Sequence, residues 1–118
     1  MDTTAIGTTA EQIAADLLGR HGLRILERNF RCKAGELDIV AAEGDTLVFV
    51  EVRSRGDDRH GVAALAIGPA KQRQVARVAA YYIALRVPAF QYCRFDVVAI
   101  TAGRAEHLRD AWRPGRRA

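Results

Sequence analysis

The stretch Gly35-Glu36-Leu37-Asp38-Ile39-Val40-Ala41-Ala42-Glu43-Gly44-Asp45-Thr46-Leu47-Val48-Phe49-Val50-Glu51-Val52-Arg53 decides the fold. Its alternation predicts two β-strands. In the first, Leu37, Ile39 and Ala41 share one face, and Glu36, Asp38 and Val40 share the other. In the second, Val48, Val50 and Val52 lie opposite Phe49, Glu51 and Arg53. Gly44-Asp45 suits a two-residue hairpin loop with glycine first, which sets Glu43 against Thr46. Counting back along that register, Asp38 opposes Glu51 and Glu36 opposes Arg53. Two carboxylates then lie side by side with a guanidinium next to them. Like charges directly opposed on a sheet are destabilising, by a few tenths to about 1 kcal/mol. A divalent cation removes the repulsion and takes oxygen ligands of this kind. A surface ion pair between Glu36 and Arg53, with Asp38 and Glu51 solvated, fits the same register.

The 118 residues suit one domain with a real core, expected over 8–112, with loose termini at 1–7 and 113–118. An apolar fraction of 49% and a charged fraction of 27% are those of an ordinary globular chain. No apolar run reaches the length of a membrane span, which argues against a membrane partner. Met1-Asp2-Thr3-Thr4 lacks the basic and apolar regions of a signal peptide, so cytoplasmic residence is the expectation. Cys32 and Cys93 are too few for a disulfide scaffold or a zinc site and read as reduced thiols. The net charge is +4, carried by sixteen Arg against two Lys, and the pI is near 9.6. Arginine forks suit phosphate, and a basic pI fits a polyanion partner, although arginine usage also follows genome composition.

Around the hairpin the chain reads in order. A helix from about Thr9 to His21 carries an apolar stripe of Ala10, Ile13, Ala14, Leu17 and Leu18, with Thr8 or Thr9 as its cap. Glu11 falls on the striped side, where it either caps the helix or projects toward the sheet. A strand from Leu23 to about Arg31 follows, made irregular near its end by Asn29. Residues 54–68 form a long connection carrying Arg55, Arg59 and His60. A second helix begins at Pro69 and runs to about Arg86, buried through Val75, Val78, Ala79, Tyr82 and Ile83. Lys71, Arg73 and Arg77 make its first half anion-attracting. Val87-Pro88 ends it. A mostly apolar strand over residues 92–100 carries Asp96, a carboxylate expected to pair with a nearby arginine, and an edge strand from Ala105 to Trp112 closes the chain. The order αβββαββ, with a right-handed crossover between the strands flanking the second helix, gives an α/β domain: a mixed sheet with a helix on each face.

Asp38, twelve intervening residues and then Glu51-Val52-Arg53 resemble the PD-(D/E)XK nuclease pattern, and the element order resembles the restriction-endonuclease-like fold. Five blocks narrow the likeness: Arg28-Asn29-Phe30-Arg31-Cys32, the residues 35–40, the residues 45–53, Pro69-Ala70-Lys71-Gln72-Arg73, and Arg94-Phe95-Asp96-Val97-Val98-Ala99. Together they look like the bacterial YraN-type family, related in fold to archaeal Holliday-junction resolvases. The resemblance implies hydrolysis of a phosphodiester by an endonuclease that acts on DNA, branched or single-stranded, with Mg²⁺ or Mn²⁺. Asp38, Glu51 and the Val52 carbonyl would hold the ion. Glu11 would complete the site from the first helix, and Glu36 would serve as base or outer carboxylate. Arg55, Arg59, His60, Lys71, Arg73 and Arg77 would bind the nucleic acid, DNA before RNA. Related resolvases act as dimers, which makes a homodimer compatible and leaves the oligomeric state open.

One position departs from the pattern. Residue 53 is Arg where the pattern has Lys. Arginine stays protonated and cannot serve as a general base. Three outcomes stay open: Arg53 only stabilises charge, Lys71 supplies an amine from across the site, or hydrolysis is weak or absent. In the last case the chain is a nucleic-acid-binding module that keeps the nuclease fold. A protein-interaction domain is a third class of reading.

Overall fold

The computed structural model describes residues 9–55 and 67–115. Helix α1 (Thr9–Arg20) leads into strands β1 (Arg24–Cys32), β2 (Gly35–Glu43) and β3 (Thr46–Arg55). Helix α2 (Pro69–Arg86) precedes β4 (Tyr92–Thr101) and β5 (Arg104–Trp112). This is the αβββαββ order expected from the sequence. The five strands form one sheet in the order β1-β2-β3-β4-β5, with β3 and β4 parallel and every other pair antiparallel. The β2–β3 hairpin has the register that Gly44 implied: Glu43 pairs with Thr46 and Ile39 with Val50. The parallel pair sets Thr46 against Tyr92 and Arg55 against Thr101, which two strands joined through a helix can do and two joined by a tight turn cannot.

The sheet is sealed on both faces. Leu47, Phe49, Val75, Val78, Tyr82, Phe95 and Trp112 belong to the core on the α2 side. Ala14, Leu18, Val48, Val50, Val98 and Ile100 belong to the core on the α1 side. Strand β3 therefore buries both faces, the pattern of an interior strand in a layered α/β domain. Gly35, in the turn from β1 to β2, meets α2 closely. A Cβ there would lie 2.8 Å from Gln74 Nε2 and 3.2 Å from Val78 Cγ2, and its φ of +143° favours glycine as well. No helix among the described residues is long and apolar enough to cross a membrane.

The alternation expected for β2 fails at one step. Ile39 and Ala41 enter the α1-side core, but Leu37 joins Val40 on the α2 side. Strict alternation presumes that every residue is in the β region. Asn29, in the neighbouring strand, has φ +56°. Phe30 pairs with Leu37 and Arg28 with Ile39, so the left-handed residue lies across from Asp38, where the face changes.

Asp96 is fully buried and well satisfied. It accepts from Arg94 Nε at 2.9 Å and Arg94 Nη2 at 3.1 Å, from the Asp110 N–H at 2.9 Å, and faces His107 Nε2 at 2.7 Å. Burial alone would raise its pKa. The hydrogen bonds from His107, Arg94 and Asp110 outweigh burial and hold the carboxyl below its ordinary value. The expected arginine partner is thus present, joined by a histidine from β5. His107 Nδ1 in turn faces His21 Nδ1 at 2.8 Å and ties the end of α1 to the edge strand.

Asp96→Ala removes the acceptor of the buried His107 Nε2, of the Asp110 N–H and of Arg94 Nε and Nη2, while Arg94 Nη1 keeps Glu43 at 2.8 Å. It should destabilise the chain by about 3–5 kcal/mol in urea unfolding monitored by circular dichroism. A loss comparable to that of an exposed ion pair would contradict this account of the β4–β5 junction.

Candidate functional site

Strand β3 is apolar until Glu51, and the site begins there. The β2–β3 pairing runs from Glu43 and Thr46 to Ile39 and Val50. Beyond it the Val52 N–H, aimed at β2, donates to Asp38 Oδ2 at 2.8 Å instead of to a main-chain carbonyl. The counted register therefore brings the two carboxylates to the same place, on adjacent strands at the open end of the hairpin.

Glu51 is only 6% exposed. Its Oε2 lies 3.9 Å from Lys71 Nζ, which reaches over from the first turn of α2. Its Oε1 is buried with no hydrogen-bond partner among the described residues. A buried carboxylate oxygen without a partner is costly to keep ionised. Burial, and then the charge of Asp38, push the Glu51 carboxyl up to about 7, against the pull of Lys71 and Arg53. Burial also raises Asp38, opposed by the Val52 N–H and reinforced by Glu36 and Glu11.

The other expected residues divide into three groups. Glu36 is ion-paired with Arg31 across the β1–β2 ladder at 2.8 Å. The Glu36–Arg53 pairing expected from the hairpin alone does not form, because β2 has left the β3 ladder by that point and β1 supplies the partner. Glu11 does face the sheet, but its Oε1 accepts from Arg28 Nε and from Asn29 Nδ2, each at 3.0 Å. Arg53 sits on β3 beside Ala99 of β4 and adds positive charge at Glu51. Arg73 and Arg77 are exposed along α2. Arg59, His60, Thr8 and the side chains of Arg55 and Thr9 lie outside the described residues. Asn29 drew notice in the sequence only as an irregularity. A polar residue in an otherwise strand-like run was the available signal for its contact with Glu11.

Among the described residues no three His, Cys, Asp or Glu side chains converge as a ready-made metal centre. Should a cation bind, the oxygens that could hold it are those of Asp38, Glu51 and the Val52 carbonyl. All three offer hard oxygen, and the unpartnered Glu51 Oε1 gives the site an unmet demand for positive charge. Hard oxygens of this kind are ones that Mg²⁺ and Mn²⁺ accept.

The model of the family described as "Uncharacterised protein family UPF0102" matches residues 10–100. The chain belongs to that family. The UPF0102 protein of Syntrophus aciditrophicus is 44% identical over 110 residues, spanning 90% of this chain and 87% of its own. That of Cupriavidus metallidurans is 50% identical over 113 residues, spanning 93% and 82%. This agrees with the YraN-type likeness of the five sequence blocks. Among solved structures, a repair endonuclease from Pyrococcus abyssi aligns with 76% of this chain and 38% of its own at 20% identity and a TM-score of 0.39.

Glu51 makes the stability of this UPF0102 chain depend on pH in an unusual sense. Its ordinary value is 4.5, and in the fold it lies at about 7. Between the two the folded chain holds a proton that the unfolded chain has lost. The stabilising contribution is therefore complete below 4.5 and is lost as pH rises through 7, by on the order of 3 kcal/mol. Glu51→Gln should remove this decline. Denaturant unfolding at pH 5 and pH 8, without divalent ions, should show the variant overtaking the wild type at the higher pH.

Proposed function

We propose that this chain is a divalent-metal-dependent endonuclease acting on DNA, branched or single-stranded, at a site built on Asp38 and Glu51. The observation that carries this reading is the Glu51 carboxyl: buried, one oxygen unpartnered among the described residues, and set near Asp38 just after the apolar run Leu47–Val50 of β3. A structural carboxylate would be expected to resemble Asp96, with its oxygens satisfied by the protein. Glu51 instead keeps an acceptor in reserve.

A bound Mg²⁺ or Mn²⁺ would supply activation of water and neutralisation of charge on the phosphate. The chain's own groups do the rest. Glu51 would hold the ion through its carboxylate, whose Oε1 has no hydrogen-bond partner among the described residues. Asp38 is held in place through Oδ2 by the Val52 N–H. Lys71 keeps an ammonium near Glu51 Oε2, placed to meet a phosphate oxygen. Arg53 stays protonated and stabilises charge without taking a proton. The exposed Arg73 and Arg77 extend the positive surface along α2, where a nucleic-acid backbone would lie.

Arg53 favours a second reading, in which the chain binds nucleic acid and does not cut it. The two readings separate experimentally. With Mn²⁺ or Mg²⁺ the wild type should nick structured DNA. Asp38→Ala and Glu51→Ala should each lower the rate at least about 100-fold. Unchanged cleavage in those variants would remove the site assignment. Salt-sensitive binding with no turnover, and no gain in Arg53→Lys, would establish the binding module.

Binding itself should weaken steeply with salt. Lys71→Ala should lower the slope of log K against log[salt] by about 1 if that ammonium meets a phosphate. Fluorescence anisotropy of a labelled oligonucleotide between 50 and about 200 mM salt measures it.

A further inference from the structure

The motif Arg28-Asn29-Phe30 has no part in the reaction above. Its central residue, inside β1, has φ +56°, whereas a residue in an antiparallel strand lies near −140°. Asparagine tolerates this left-handed region better than other side chains.

The pairs that flank it keep one register, back to a bulge between Ile25 and Glu27. Arg31 pairs with Glu36, Phe30 with Leu37, Arg28 with Ile39 and Glu27 with Val40. The faces nevertheless change between two of these pairs. Phe30 and Leu37 both enter the α2-side core. Ile39 enters the α1-side core, and Arg28 reaches Glu11 on α1. The two strands change face in step, at Asn29 and at the residue across from it, Asp38. That is also where the Asp38 carboxylate takes the Val52 N–H.

We propose that Asn29 is a positioning residue for Asp38. Its left-handed backbone makes the face change that turns the Asp38 carboxylate toward Val52 and Glu51. The pivot is pinned from outside: Asn29 Nδ2 donates to Glu11 Oε1 at 3.0 Å, and Arg28 Nε donates to the same oxygen at 3.0 Å. Glu11 thus acts on the site through β1, as a clamp from the first turn of α1. The inference rests on the reading of Asp38 as a site residue.

The test compares Asn29→Gly, which keeps the left-handed conformation, with Asn29→Val, which disfavours it. Two readouts are taken on the full chain. The first, without metal, is hydrogen exchange of the Val52 amide by NMR, referenced to the Val98 and Ile100 amides of the core. The second is Mn²⁺ affinity by calorimetry. Asn29→Gly should keep Val52 protection and Mn²⁺ affinity within about threefold of wild type, whereas Asn29→Val should lose about tenfold or more in both while the core amides stay protected. Should Asn29→Val not fold, Asn29→Ala makes the same comparison with a smaller side chain. Unchanged Val52 protection in the folded Asn29→Val or Asn29→Ala chain overturns the proposal. So does an Asn29→Gly chain that loses as much as Asn29→Val. A wild type that binds no Mn²⁺ overturns the metal reading instead, and the Val52 exchange still decides the role of Asn29.

Discussion

Strand β3 is flanked by β2 and β4 and covered by a helix on each face, so any charge it carries has to be met locally. Its first half avoids the problem with the apolar run Leu47-Val48-Phe49-Val50. Glu51 does not, and the end of the sheet is arranged around it. Lys71 approaches from α2, Arg53 adds charge from two positions along, and Asp38 comes in from β2 as a second negative group. Among the described residues Lys71 lies near one Glu51 oxygen, and the other has no hydrogen-bond partner. A cation-binding function gives a physical reason for an interior strand to end this way, where fold stability alone gives none.

The surrounding acids are treated differently. Glu36 has Arg31, Glu11 has Arg28 and Asn29, and Glu27 has Arg86 in a two-pronged contact at 2.9 Å. Asp96 is saturated by Arg94, His107 and a main-chain N–H. These partners fix four acidic side chains in one geometry, whereas Glu51 Oε1 has no hydrogen-bond partner among the described residues. A phosphate arriving there would meet Lys71 and Arg53, both near the open end of the β2–β3 pair. The arginine content of the chain therefore divides into two roles. Arg28, Arg31, Arg86 and Arg94 are engaged with acids of the fold, while Arg73 and Arg77 lie on the surface of α2.

Much of this was legible in the sequence because short-range rules govern it. Gly44-Asp45 set the hairpin register, and the register alone placed Asp38 across from Glu51. Pro69 and the spacing of Val75, Val78 and Tyr82 located α2 and its buried side, from which the parallel pairing of β3 and β4 followed. The misplaced residues needed information from another strand. Leu37 changes face because of Asn29, and alternation read along β2 by itself cannot see that. Glu36 pairs with Arg31 and not Arg53 because the β1–β2 ladder continues after the β2–β3 ladder has stopped. The contact of His21 with His107 spans 86 positions, and no periodicity in either segment points to it.

The family model ends at residue 100, yet the fold does not. Strand β5 follows, and its Trp112 stacks on Phe95 with ring centroids 4.1 Å apart. Without β5, β4 would become the margin of the sheet, a largely apolar row of residues with open N–H and C=O groups along one side. Such an edge is a template for pairing with another chain and for aggregation. With β5 in place, the outer margin presents Arg104, Glu106, Arg109 and Asp110, charged residues that discourage further strand addition. The last segment thus acts as a selvedge for the sheet: a finished border outside the matched region that keeps the sheet from growing.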